Sequence, residues 1–270
     1  MRIVSFNVNG IRAAEKRGVV SFLREAGDIV CLQEIKASEA QFREVTQPPS
    51  ALPPPPRLMG ELSIGSHPYV YINPAEKAGY SGTAILSKYE PISVSCELPG
   101  LSLANEGRVI VLELPKFYVV NCYVPHGGTR LEIKLEYMEQ LLAGLRQLEK
   151  GGKPVVLCSD MNVAHTELDL SHPKACSKIT GYLPEERAVM DRFMELGFID
   201  SYRALNPDKQ AYTWDSYRSK AGQGYGYTSW NYRFDYILAS ETLRKSIKSA
   251  DILYDRFYSD HYPVMLEIEV

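Results

Sequence analysis

The chain has 270 residues, of which 45% are hydrophobic and 23% are charged, and these ordinary values exclude collagen-like, coiled-coil and wholly disordered proteins. No apolar run reaches the roughly eighteen residues of a membrane span, and residues 2–6 already look like a strand, so we expect an intracellular protein without a leader peptide or a membrane partner. The net charge of −3 argues against coating of nucleic acid by bulk attraction but permits a local basic cleft.

Neither a disulfide framework nor a zinc site is indicated by the five cysteines, because none of them lies in a C-x-x-C pair. We expect them to be buried thiols. We also expect a monomer with one domain over residues 1–270, since nothing in the composition marks a domain boundary.

Strand-like runs rich in β-branched and aromatic residues alternate along the chain with a few amphipathic helices. The clearest helix has one apolar stripe over residues 131–149, with a capping-box pattern at Thr129 and Glu132. Further helices are predicted near 15–25, after Ser38 with Gln41 completing a capping box, and from Pro184 to Gly197. The predicted strands are 3–8, 29–33, 69–72, 83–87, 109–114, 117–124, 155–158, 234–238 and 265–268.

Many strands joined by short turns, with helices interspersed, predict two mostly antiparallel sheets packed together and flanked by helices. This is an α/β fold, a four-layer α/β sandwich. The proline-rich segment 47–57 is expected to be an extended surface loop. A spacer is favoured there over a docking site for a proline-recognising partner, because no other ligand feature accompanies it.

Polar residues cluster where the predicted strands end. Each alone is explained by turn chemistry, since Asn, Asp and Gly satisfy loose backbone groups. Together they suggest a hydrolytic site, because hard oxygen ligands such as Glu34, Asp260 and Asn9 suit Mg²⁺ and do not suit zinc. Carboxylates and amides around a divalent ion promote phosphoryl-ester hydrolysis by placing charge and aligning water. The strand-end groups are Asn7, Asn9, Gln33, Glu34, Tyr123, His126, Asp160, Asn162, Asp235, Asp260 and His261.

A series of short motifs runs in order along the whole chain. They are SFNVNGIRA at 5–13, LQEIK at 32–36, GYSG at 79–82, EGR at 106–108, NCYVP at 121–125, SDMNVAH at 159–165, LPEER at 183–187, RFDY at 233–236 and SDH at 259–261. The set resembles the signatures of the exonuclease III family of apurinic/apyrimidinic endonucleases, within the endonuclease/exonuclease/phosphatase superfamily. Any one motif is weak, but the set in register is specific.

The resemblance implies a DNase I-like fold and a hydrolase that uses Mg²⁺, or Mn²⁺ in its place. Its substrate would be double-stranded DNA with abasic sites or 3′ ends, cut 5′ to the abasic site, with 3′-5′ exonuclease or 3′-end trimming activity besides. Two alternatives stay open within the superfamily: a predominantly 3′-5′ exonuclease with weak abasic-site activity, and a non-DNA phosphoesterase. A catalytically silent module that binds damaged DNA and a scaffold held through the proline-rich loop are further alternatives.

Roles follow from the resemblance position by position. Glu34 would be the principal metal ligand, with Asn9 and Asp260 nearby. Asp160 would orient or deprotonate the attacking water, and His261, aligned by Asp235, would lie against the scissile phosphate. The other implied roles are water and phosphate binding by Asn7 and Asn162, donation to the phosphate or leaving oxygen by Tyr123, a pocket for a flipped base-less sugar lined by Trp214, Tyr232 and Phe234, and phosphate contacts by Arg108, Lys134, Lys174 and Arg187.

The sequence departs from the family pattern in three places. His126 stands where the family usually has an amide, and because an imidazole gains charge near pH 6.5 we expect acid-enhanced DNA binding. The 218–232 segment is longer than typical and rich in glycine and aromatic residues, which suggests a stacking element. Tyr262 replaces a common Cys, and we expect this change to affect packing only.

Overall fold

The computed structural model describes residues 1–47, 63–216 and 230–269. Within these ranges the strands form two six-stranded sheets and a two-stranded ribbon. Most of the proline-rich segment and most of the 218–232 segment lie outside the described residues. No described helix is long and apolar enough to cross a membrane.

The first sheet carries the two ends of the chain side by side. Its strands are β1 (Arg2–Asn7), β2 (Ile29–Gln33), β3 (Tyr69–Asn73), β4 (Thr83–Ser87), β13 (Ile247–Ile252) and β14 (Val264–Ile268). Their order across the sheet is β13-β14-β1-β2-β4-β3. Strands β1 and β2 are parallel, and the other neighbours are antiparallel.

The second sheet repeats this plan. Its strands are β5 (Ser93–Ser95), β6 (Val109–Glu113), β7 (Tyr118–Tyr123), β8 (Val155–Asp160), β9 (Phe198–Asp200) and β12 (Asp235–Ser240). Their order is β5-β6-β7-β8-β12-β9, with β7 parallel to β8 and the other neighbours antiparallel. The ribbon pairs β10 (Trp214–Asp215) with β11 (Asn231–Tyr232).

The α-helices of the described residues are α1 (Ile11–Glu15), α2 (Val19–Leu23), α3 (Glu39–Thr46), α4 (Leu131–Glu149), α5 (Pro173–Cys176), α6 (Pro184–Glu195) and α7 (Ser201–Leu205). Helices α1 to α3 cover the outer face of the first sheet, and α4 and α6 cover that of the second. Alternate residues of the strands fill the space between the sheets, as with Ile3 and Ile110, while Val4 packs under α1 and α2 and Val120 packs under α4. The predicted four-layer α/β sandwich is confirmed.

Several local predictions need correction. The helix expected near 15–25 exists but is shorter, because α2 begins only at Val19, after Gly18, whose φ of 81° is readily adopted by glycine but interrupts a helix. The bounds of α4 are as predicted, but its N-cap is Arg130 and no side chain caps it, so the expected Thr129 box is wrong. The capping box of Ser38 and Gln41 is confirmed. Cys96 is exposed, and the other cysteines are buried as expected.

Candidate active site

Three side chains of the second sheet meet where its strands end. Asp160 closes β8, and it stands in register with Tyr123 on β7 and with Asp235 on β12. Because residues in register point to the same face of a sheet, these groups form a row. Asn7, at the end of β1, reaches the row from the other sheet and donates to Asp160 Oδ2 at 2.7 Å. The site therefore lies at the edge where the two sheets meet.

His261 is held in this row by a buried carboxylate. Its Nδ1 donates to Asp235 Oδ2 at 2.8 Å, and its Nε2 lies 3.9 Å from Asp160 Oδ2. Burial opposes the charged imidazole, but the charge of Asp235 and its hydrogen bond raise the pKa of His261 to about 10. His261 is therefore a fixed cation at neutral pH, directed towards Asp160.

Asp160 is completely enclosed. Burial, followed by the charge of Asp235, raises the pKa of Asp160 to about 7. Its Oδ1 accepts from the backbone N–H of Asn162 at 2.9 Å, which fixes the orientation of the carboxylate. A carboxylate with a pKa near the working pH can both accept and return a proton, as a general base requires.

The carboxylates of this site offer oxygen ligands for a divalent cation. Oxygens of Glu34 and Asp160 lie within 4.8 Å of each other and of a ring nitrogen of His261, whose proton makes it a neighbouring positive charge and not a ligand. The Lys36 ammonium and the Asn7 amide together outweigh burial and lower the pKa of Glu34, so its carboxylate is charged. Carboxylate oxygens are hard donors, which suit Mg²⁺ or Mn²⁺.

The other two expected metal ligands form a second pair nearby. Asn9 Nδ2 donates to Asp260 Oδ1 at 2.9 Å, and Asp260 Oδ2 accepts from Trp214 Nε1 at 3.0 Å. Lys36 connects Glu34 to this pair through the Asn9 amide, since its Nζ lies 2.7 Å from Glu34 Oε2 and 2.5 Å from Asn9 Oδ1. The structure thus brings all three expected ligands to one cleft, with the Lys36 cation between them.

Lys36 is a site residue that the sequence analysis did not assign. It belongs to the LQEIK motif and follows Glu34 by two residues, and this was the available signal that it lies in the site. The motif marks the residue but does not show where its side chain lies. That placement depends on a turn after β2 in which both Glu34 and Lys36 have positive φ.

Left-handed backbone conformations cluster at this site. Asn9, Glu34, Lys36 and Asn162 have φ of 45°, 49°, 48° and 52°. Such conformations cost on the order of 1–3 kcal/mol each in residues other than glycine and persist only where the surroundings enforce them. The four residues lie in the three turns that follow β1, β2 and β8, and these turns bring amide and carboxylate groups into the cleft. The backbone hydrogen bond from Gly10 N to Glu34 O, 2.7 Å long, joins two of them.

An aromatic wall borders the charged groups. Tyr232 and Phe234 stack with ring centroids 4.7 Å apart, and Trp214 lies 5.9 Å and 5.8 Å from their centroids. These rings line the same cleft of about 540 Å³ as His261 and Asp260. The three residues expected to bind a base-less sugar are thus grouped beside the expected catalytic ones.

Two basic residues expected at phosphates are instead buried. Arg108 is 3% exposed; its Nε donates to Glu106 at 2.7 Å, and its guanidinium lies 4.8 Å from the ring centroid of Tyr123. Lys134 is 0% exposed, with Nζ 2.6 Å from Glu186 Oε1 and 2.7 Å from the carbonyl of Asn162. Their ionic groups are occupied inside the protein, so we correct their expected role to one of holding Tyr123 and Asn162 in place.

The remaining candidates lie nearer the surface. Lys174 is exposed on α5. Arg187 is half-buried, donates from Nε to the carbonyl of His165 at 2.9 Å and stacks on Tyr182. His126 is exposed and lines the cleft. Of these three residues, only His126 lines the cleft that contains Glu34 and His261.

The two sheets are held together beneath the site by two buried amides, Gln33 and Asn121, to which the sequence analysis gave no structural role. Gln33 Nε2 donates to Ser5 Oγ at 2.9 Å and to Asn121 Oδ1 at 2.7 Å. Asn121 in turn donates to the carbonyls of Leu32 and Ala84 across the sandwich. Because buried amides need partners, this network fixes the spacing of the strands that carry Glu34 and Tyr123.

Comparison with known proteins agrees with this geometry. The model of the Endonuclease/Exonuclease/phosphatase family matches residues 4–261. A Bacillus subtilis exodeoxyribonuclease is 38% identical over the full length of both chains, and the DNA repair nuclease APEX1 of Danio rerio is 36% identical over 100% of this chain and 83% of its own length. The structure of an AP endonuclease from Archaeoglobus fulgidus superposes with a TM-score of 0.78 at 28% identity over 100% of both chains.

The match spans both sheets and includes every motif from which the site is built. Two relatives are more than 30% identical to the whole of this chain, so the similarity is one of sequence as well as of fold. The chain therefore belongs to the endonuclease/exonuclease/phosphatase family and is a hydrolase of the exonuclease III type.

Proposed function

We propose that this DNA repair nuclease cuts the backbone 5′ to abasic sites in duplex DNA. The observation that carries the proposal is one cleft in which the aromatic wall of Trp214, Tyr232 and Phe234 borders Glu34 and His261, with Asp160 beside them. Apolar walls accept a deoxyribose that has been turned out of the duplex, while a phosphate needs cationic and hydrogen-bonding groups. The relatives named as a DNA repair nuclease and as an AP endonuclease support this substrate.

We further propose that Glu34, Asn9 and Asp260 hold Mg²⁺, or Mn²⁺ in its place. When bound, the ion would supply positive charge to the phosphate oxygens. Supporting this assignment, the carboxylates of Glu34 and Asp260 are both ionised, because nearby hydrogen-bond donors and cations lower the pKa of each despite burial.

The protein groups divide the remaining work. Asp160 accepts the proton of the attacking water, while Asn7, which bridges Asp160 and Glu34, and Asn162 position that water and the phosphate. The imidazolium of His261 stabilises the negative charge that develops on the phosphate. Tyr123 keeps its proton because burial, together with the charges of Glu34 and Asp160, raises its pKa, so it donates to the phosphate or the leaving oxygen.

A second candidate function is 3′-5′ exonuclease activity as the main reaction. The specific support is the 38% identical Bacillus relative, which is named an exodeoxyribonuclease and is matched over its whole length. The same chemistry would serve both functions, since they differ only in whether the phosphate lies inside a strand or at its 3′ end.

One gel separates these functions. A 5′-labelled duplex with one internal abasic analogue is incubated with Mg²⁺ or with chelator, beside the same duplex without the lesion. A single Mg²⁺-dependent product ending 5′ to the lesion is expected. A ladder that starts at the 3′ end of both duplexes would instead favour the exonuclease, and two intact strands would contradict both functions.

A further inference from the structure

We propose that Trp230 and His172 form an aromatic platform at the rim of the cleft that stacks on a nucleobase next to the bound sugar. We call this pair the rim platform. The inference rests on the proposed function, because it takes DNA as the ligand of the cleft. It narrows the stacking element expected over 218–232 to Trp230 and pairs it with His172, to which no role was assigned.

Strand register creates the pair. An isolated antiparallel bridge joins Leu170 to Tyr232, so His172 lies opposite Trp230, two residues further along each strand. The rings pack with centroids 5.5 Å apart and planes inclined by 45°. The contact is thus a cross-strand pair built into the backbone.

Trp230 extends the aromatic wall of Trp214, Tyr232 and Phe234 towards the rim of the cleft. Side chains alternate between the faces of a strand, so Trp230 and Tyr232 point to one face, and two residues span about 6.7 Å. Trp230 lines the cleft together with Trp214, Tyr232 and Phe234. The rim platform therefore lies within reach of the nucleotide next to one whose sugar occupies the aromatic wall.

Hydrogen bonds hold the platform in position. The Ser216 and Trp230 segments exchange bonds, with Trp230 N donating to Ser216 Oγ and Ser216 N donating to the carbonyl of Trp230, both at 3.2 Å. Ser171 Oγ bonds His172 Nδ1 at 2.7 Å and accepts from Asn231 N at 3.1 Å. The backbone of Trp230 and the imidazole of His172 are fixed by these bonds, so little of their conformational freedom is lost when a ligand stacks on the pair.

Exposure indicates the class of ligand. The side chain of Trp230 is 38% exposed, whereas Tyr232 and Phe234 on the same wall are 6% and 7% exposed. A large indole left open at the mouth of a polar, charged cleft offers a π-face, which every nucleobase can match. We therefore assign the platform to a base and expect it to be tolerant of sequence.

The test uses DNA binding without cleavage, in chelator. Duplexes with an internal abasic analogue or a recessed 3′ end carry 2-aminopurine on either side of the site, and fluorescence and anisotropy are read for wild type, Trp230→Ala, Trp230→Phe and His172→Ala. Tyr89→Ala is the matched control, because Tyr89 is an aromatic residue of similar exposure, 43%, outside the cleft.

Trp230→Ala is expected to weaken binding about 5- to 100-fold and to relieve quenching of one 2-aminopurine, Trp230→Phe to retain most of both, and Tyr89→Ala to change neither. His172→Ala should show a smaller loss. Normal binding and quenching by a folded Trp230→Ala protein would overturn the platform alone. A wild-type protein that binds neither DNA would contradict the proposed function and the platform with it.

Discussion

Asp160 and His261 are far from Asp235 in the sequence, but their pKa values depend on its charge. The negative charge of Asp235 raises the pKa of both residues. It disfavours a second negative charge on Asp160, adding to the effect of burial, and it stabilises the positive charge of His261. The motifs SDMNVAH, RFDY and SDH marked Asp160, Asp235 and His261 as candidate site residues. They could not predict the row of contacts, since that depends on the register of β8 and β12.

His261 and Asp235 should differ in how much activity their loss removes. We expect His261→Ala to lower the single-turnover rate about 10²- to 10³-fold, because it deletes the cation that faces the phosphate. Asp235→Asn should cost less, since the imidazole stays in place but loses part of its positive charge. Quenched-flow cleavage at saturating enzyme measures both, and a larger loss for Asp235→Asn than for His261→Ala would contradict this division of roles.

His126 should make DNA binding respond to acid only below its ordinary titration range. Partial desolvation at the wall of the cleft and the nearby Lys134 charge lower the pKa of His126, so the neutral imidazole is favoured and the positive charge appears only as the pH falls below about 6.5. Affinity for a duplex, measured in chelator from pH 7.5 to 5, should therefore rise late in the series. The idea fails if His126→Asn keeps the same pH profile.

At the scale of elements, the sequence predicts long regular segments well and short ones poorly. The stripe of α4 and the apolar runs of β2, β4 and β8 are strong periodic signals. Strands such as β5, β9 and β10 have three residues or fewer, and β13 mixes polar and apolar residues without regular alternation, so neither kind has a recognisable pattern. These edge elements are defined by their neighbours in the sheet.

Glu186 joins two helices to two loops of the site. Its carboxylate accepts from Lys134 Nζ on α4, from Thr180 Oγ1 at 2.8 Å, from Gly181 N at 2.6 Å and from Leu183 N at 2.9 Å. Lys134 also donates to the carbonyl of Asn162. Through this network, α4 and α6 fix both the Asn162 turn and the Thr180 edge of the cleft.

Removing this carboxylate should destabilise the fold. We expect Glu186→Leu to lower the free energy of unfolding by about 3–5 kcal/mol, because it leaves the Lys134 ammonium buried without a counter-charge. Lys134→Met in the same chain should restore part of the loss, but not the donors of Gly181 and Leu183. Urea unfolding followed by circular dichroism measures this, and a loss below about 1 kcal/mol would show that the pair is replaceable.

At the scale of the whole molecule, the site exists because two sheets of similar plan end at one edge. Each has one parallel pair near its centre, β1–β2 in one and β7–β8 in the other. Four strand ends thus meet across the sandwich. The sequence predicted two packed sheets but not how they face each other, since links such as that between Gln33 and Asn121 join residues 88 positions apart.

Acid should destabilise the protein through a buried ionic cluster behind the aromatic wall. Burial opposes ionisation of Asp169, but Arg233 and Arg203 hold its pKa well below the ordinary value. A lowered pKa means that this contribution to stability is complete above about pH 4, the range of the unfolded carboxyl, and is lost as the pH falls further.

Thermal unfolding between pH 7 and pH 2.5 tests this contribution. The Tm of the wild-type protein should fall steeply as the pH drops below 4. Asp169→Asn should start from a lower Tm at pH 7, because Arg233 is left buried with less counter-charge, and it should fall less on acidification. Parallel Tm curves for the two proteins would show that Asp169 does not carry the acid response.

In the proposed function, the cluster around Asp160 performs the hydrolysis of DNA. Single-turnover incision of a duplex with one abasic analogue, in Mg²⁺, by wild type and by Asp160→Asn prepared identically tests this role. Wild type should give one product ending 5′ to the lesion, and Asp160→Asn should give that product about 10²- to 10⁴-fold more slowly with its fold and DNA affinity retained. Equal rates for the two proteins would place the catalytic centre elsewhere.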